Sequence, residues 1–96
     1  MFEKHSIKYS KVYSTVNASV KDPVSDDMLA RIILSGEMDK KHTTHLYAFF
    51  LEVPVQVIAE FASEFKIPIG TLKCYYEKYI QPLYTNKELE RFFLYE

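Results

Sequence analysis

The chain reads as a mainly α fold, a small helical domain of about five helices behind an N-terminal β-like or extended arm. Three observations predict this. From residue 23 onward apolar residues recur at helical spacing. Capping residues, both glycines and all four prolines fall between or at the ends of those periodic stretches. Finally, 48% of the 96 residues are apolar and 16% are aromatic, which is ample for one packed core and excludes a disordered chain.

The elements follow in order. Val12, Ser14, Val16, Ala18 and Val20 alternate with Tyr13, Thr15, Asn17 and Ser19, a period-2 pattern that predicts a strand, hairpin or extended arm over residues 1–22. Asp22-Pro23 ends it, because the residue before a proline is pushed towards extended geometry. Residues 23–96 form the single helical domain. Ser25 is the expected N-cap of a first helix, with Asp26 and Asp27 in its opening turn, Met28, Leu29, Ile32 and Ile33 along it, and Gly36 just past its end. A second helix spans about residues 39–51, with His45, Leu46, Phe49 and Phe50 inward. Pro54 opens a third, whose stripe is Val57, Ile58, Phe61, Ala62 and Phe65. A break at residues 66–70 precedes a fourth helix carrying Leu72, Tyr75, Tyr76, Tyr79, Ile80 and Leu83, which Pro82 must end or kink. Thr85-Asn86-Lys87-Glu88 has the form of a capping box, opening a short last helix with Leu89, Phe92 and Phe93 inside.

Charge divides the chain. Lys4, Lys8, Lys11 and Lys21 face only Glu3 in the first 21 residues, whereas residues 22–64 hold eight acids against Arg31, Lys40 and Lys41. Residues 65–80 are basic again through Lys66, Lys73 and Lys78 against Glu77. The net charge of −1 therefore conceals an acidic middle between two basic segments. A single cysteine, Cys74, excludes an internal disulfide and suits a reducing, cytoplasmic setting. No apolar run approaches the ~20 residues of a membrane span, and the expected mature chain, lacking an apolar leader, is the whole chain.

One segment has a spacing more specific than amphipathicity. In VIAEFASEFKIPIGTLKCYYEKYI, residues 57–80, Ala62 supplies the small residue that two helices crossing at a tight turn require. Phe65 precedes the turn, Ile67 lies within it, and Leu72 and Tyr75 anchor the second helix, which Pro68 starts with a preset φ. This segment resembles the helix-turn-helix of homeodomain-like DNA-binding domains in bacterial and phage regulators and terminase small subunits. The turn position that the family usually gives to glycine is Lys66 here, so Lys66 must accept an unfavourable φ or the turn must differ. The resemblance implies a unit over about residues 54–84, with residues 70–80 as recognition helix. Ile69, Gly70, Thr71, Lys73, Cys74, Glu77 and Lys78 would then meet DNA, Lys66 would hold phosphate at the turn, and Lys4, Lys8 and Lys11 of the arm would assist. The expected function is a small DNA-binding regulator of transcription, phage-like or of mobile-element style, with double-stranded DNA as partner.

The acidic middle supports an alternative, a modulator that engages a basic protein partner through Asp26, Asp27, Glu37 and Asp39. Fifteen aromatic rings exceed what a chain of this length is expected to hide, which predicts a homodimer through Tyr84, Phe92, Phe93 and Tyr95. His42 and His45 stand three residues apart without the second ligand pair of a zinc site, so no metal is expected. Cys74 has no sequence-adjacent base, and neither glycine belongs to a phosphate-binding loop. Neither a cofactor nor an enzymatic activity is expected.

Overall fold

The computed structural model describes residues 11–18, 20–36 and 38–95. These residues form a mainly helical fold, with no strand among them. Six α-helices follow in order: α1 Lys11–Val16, α2 Asp26–Ser35, α3 Thr43–Glu52, α4 Val55–Glu64, α5 Ile69–Tyr75 and α6 Lys87–Tyr95. A 3-10 turn, Lys40–His42, leads into α3, and a π-helical turn, Tyr76–Ile80, extends α5.

α1 corrects the β-like reading of the arm. Val12 and Val16, four residues apart, are both buried, so one helical face of this segment meets the core. Two valines placed in a core outweigh the β-propensity of an alternating pattern whose two faces differ little in polarity. Residues 1–10, with Lys4 and Lys8, lie outside the described residues. The chain after α1 is clipped down twice. Asn17 acts as a surrogate strand for Val24: its Nδ2 donates to the Val24 carbonyl at 2.8 Å and its Oδ1 accepts from the Val24 N–H at 2.8 Å. His45, buried in α3, sets Nε2 3.0 Å from the Asp22 carbonyl and Nδ1 3.1 Å from the Lys41 carbonyl.

α2 begins and ends where its punctuation places it. Ser25 accepts from the Met28 N–H at 3.1 Å, and Gly36 adopts φ 78° with its N–H on the Ile32 carbonyl. α6 starts one residue later than the capping box implies. Asn86, not Thr85, is the cap, its Oδ1 accepting from the Leu89 N–H at 3.1 Å. Its Nδ2 also donates to the Phe50 carbonyl at 2.9 Å, tying the start of α6 to α3.

α3 is the central helix and packs against α1 and the π turn; α1 also meets α4, α2 meets α5, and α6 lies against both α4 and α5. The core contains Leu46, Phe49, Phe50, Ile58, Leu72, Ile80 and Leu89, all fully buried. A relay of rings runs through it: Phe65, Phe61, Phe49, Phe50, Tyr76, Phe93 and Phe92, with consecutive centroids 4.9–5.8 Å apart. Tilted and edge-on contacts of this kind add to the burial of the rings themselves. Five of these seven rings are buried, and Phe65 and Phe92 at the two ends of the relay are half-buried.

Candidate nucleic-acid interface

The connection between α4 and α5 is built by four residues, 65–68. Lys66 takes φ 55°, the left-handed conformation that its position in the turn demands. Its N–H bonds the Ser63 carbonyl at 3.3 Å, and the next N–H, that of Ile67, reaches back to the Ala62 carbonyl at 2.8 Å. This pair of bonds around a left-handed residue is a Schellman closure, and it satisfies carbonyls that the end of α4 would otherwise leave open. Ile67 and Ala62, the two residues such a closure brings together, are both buried and line one hollow. Pro68 then sets φ −59° at the mouth of α5, and its carbonyl accepts from Thr71 and Leu72.

α5 is anchored by Leu72, Tyr76 and Ile80, spaced one turn apart and buried. The opposite side is open: Gly70, Lys73, Cys74, Glu77 and Lys78 are exposed, as is Lys66 at the turn, while Ile69 and Thr71 are half-buried at its margins. A Cβ at Gly70 would meet nothing within 4 Å, so packing does not require glycine there. Lys78 holds its Nζ 5.3 Å from the centroid of the Tyr79 ring, a cation–π contact that steadies the side chain at the helix edge.

The helix widens at its far end. Gln81 donates to the Tyr76 carbonyl at 2.8 Å, an i→i−5 bond that replaces the α-helical one. Pro82 explains the change, since an α-helical continuation would press its ring on the Lys78 carbonyl. Beyond it the Tyr76 hydroxyl donates to Glu90 Oε2 at 2.6 Å and accepts from the Asn86 N–H at 2.8 Å. Burial, and then the Glu90 carboxylate, hold the Tyr76 phenol above its ordinary value of 10.0, against the lowering effect of the Asn86 N–H. Nothing in the sequence pattern singles out this three-residue lock, because its members are separated by 10 and 14 positions.

α6 flanks the open face. Phe92 sits in the hollow beside the turn with Lys66, Ile67 and Ile69, and Glu90 and Leu94 line a second hollow with Lys73, Glu77 and Gln81. Lys73 thus has two carboxylates among its neighbours around that hollow, which lowers the positive potential it offers.

The structure divides the remaining expected residues. Lys11 is exposed at the start of α1. Among the acids, Asp27 and Asp39 are exposed, but Asp26 is buried rather than on the open surface; Glu37 lies outside the described residues. Of the four rings expected to pair two copies, Phe93 belongs to the core and Phe92 is half-buried at the turn. Tyr84 leans edge-on against Tyr47 at 5.9 Å, and Tyr95 projects into solvent. Phe93 is buried because it shares the inner face of α6 with Leu89 one turn away.

Among the described residues no three His, Cys, Asp or Glu side chains gather as a metal site, and no helix is long and apolar enough to cross a membrane. Comparison with protein-family models, with curated proteins and with solved structures finds no match to this chain.

Proposed function

We propose that this chain binds double-stranded DNA, with α4 and α5 acting as a helix-turn-helix and α5 entering the major groove, in the manner of a small regulator of transcription. The observation that carries the reading is the pairing of a Schellman turn at Lys66 with a helix anchored on one side and open on the other. Lys66 and Lys78, at the two ends of that open side, are suited to phosphates, and Lys73 between them to a guanine edge or a phosphate. Glu77 is an acceptor for a cytosine amino group, and Gly70 with Thr71 leaves room for close approach of the duplex. Lys11, exposed on α1, is a further candidate phosphate contact. A mobility-shift assay on duplexes selected from a random library tests the proposal. The wild-type chain should shift a subset of them, and Lys73→Glu should not.

A further inference from the structure

On the side of α4 turned towards α1 and α2 lies a groove that the DNA reading does not use. Val12, Asp26, Val57, Glu60, Phe61, Glu64 and Phe65 line it, around a volume of about 160 Å³. A single water needs only roughly 10–15 Å³, so the groove has room for a side chain. Its apolar wall is Val12 and Phe61, both buried, with Val57 and Phe65 half-covered beside them. The Phe61 and Phe65 rings are 4.9 Å apart. Glu60 and Glu64, exposed and one turn apart, stand along the rim.

Two like charges at i, i+4 weaken a helix, and no Lys or Arg is among the described residues that line the groove. An apolar trough edged by the carboxylates of Glu60 and Glu64 complements a side chain that is apolar along its stem and cationic at its tip. We infer that this groove docks a lysine or arginine side chain from a basic segment of a protein partner. The methylenes lie on Val57, Phe61 and Phe65, and the head group reaches Glu60 and Glu64. The phenyl faces add attraction for the cation as it passes. Duplex DNA is repelled from the same rim, so the groove and the open face of α5 serve partners of opposite charge.

The sequence alone sets Glu60 and Glu64 opposite the apolar stripe of α4 and gives no sign of a groove. What turns it into a groove is α1, which brings Val12 alongside α4.

The test is titration of the full-length chain with an acetylated tetralysine peptide, followed by amide and methyl chemical shifts at low ionic strength. Saturable shifts are expected at Val12, Val57, Phe61 and Phe65. The double variant Glu60→Gln, Glu64→Gln keeps the size of both side chains and should weaken binding about tenfold or more, which is the loss of one charge-assisted contact. A single Glu64→Lys variant should abolish it. Absence of saturable shifts in the wild-type chain overturns the inference, as does binding that the Gln variants leave unchanged. Saturation that appears only once Lys4 and Lys8 are replaced by Gln would assign the groove to this chain's own basic residues and overturn the separate partner. None of these outcomes depends on whether α5 binds DNA, which the Lys73→Glu mobility shift reads independently.

Discussion

The Tyr76 hydroxyl and the Glu90 carboxylate meet at 2.6 Å, and this bond joins the π-helical end of α5 to the middle of α6. Because the same hydroxyl also accepts the Asn86 N–H, one buried oxygen fixes both where α5 ends and where α6 begins. Removing it leaves the Asn86 N–H without this partner and Glu90 Oε2 with the longer bond from Gln81 Nε2 at 3.3 Å. Tyr76→Phe should therefore destabilise the fold by about 1–3 kcal/mol, read as a lowered midpoint in urea with little change in slope.

The lock also has a pH dependence with a definite sign. The fold favours the neutral phenol of Tyr76, raised from 10.0 by burial first and Glu90 second. A group raised in the folded state contributes stability that is whole below the unfolded value and is lost as pH climbs through the folded one. Stability should hold up to about pH 10 and fall above it. Tyr75, raised by burial and then by Tyr79, adds to the same decline. In Tyr76→Phe the alkaline fall should be shallower, with the residue due to Tyr75.

Lys66 separates a requirement of the fold from a requirement of the surface. At φ 55° a glycine is unstrained where lysine is not. Lys66→Gly should raise stability by up to about 1 kcal/mol, the relief being partly offset by the greater freedom of glycine in the unfolded chain. The same variant should bind DNA more weakly, through loss of a phosphate contact. A fall in stability would contradict the turn geometry.

Asn86 caps α6 and holds the Phe50 carbonyl with the same amide. Asn86→Ala should cost about 1–3 kcal/mol, the loss of a helix cap together with an interior tether. Thr85→Ala, one residue earlier and exposed, should change stability by no more than about 0.5 kcal/mol. Reversal of that order would restore the capping box at Thr85.

Much of the helical core was legible in the periodicity, and the reasons are local. Leu46, Phe49 and Phe50, or Leu72, Tyr76 and Ile80, repeat at one-turn spacing between strong stop signals, so their burial follows from secondary structure alone. Ser25, Gly36 and Pro68 act within their own turns and could be placed for the same reason. The sequence marks Lys66 as the turn position that must take an unfavourable φ or a different turn, and the structure takes the first course at φ 55°. What escaped depends on distance along the chain. α1 is hidden in the sequence because its two inward valines are buried by α3 and α4, which lie far along the chain. The first-turn position of Asp26 implies a surface acid, but α2 turns that position inward. The exposure of Gly70, Lys73, Cys74, Glu77 and Lys78 follows from helical spacing, whereas the partial burial of Ile69 and the flanking of this face by Glu90 and Phe92 of α6 do not. A helix near the chain's end carries no signal of which neighbour it will cover.

The salt dependence of duplex binding tests the central proposal most directly. Affinity for a selected duplex should fall linearly in log–log form with salt. Engagement of Lys66, Lys73 and Lys78 on phosphates gives a slope of about −3, at roughly −0.9 per phosphate neutralised on B-form DNA. Lys73→Glu should abolish the complex at moderate salt and flatten the slope of what remains. Failure to bind any duplex at low salt, a flat salt response, or equal binding by Lys73→Glu would contradict a DNA-binding role for α5.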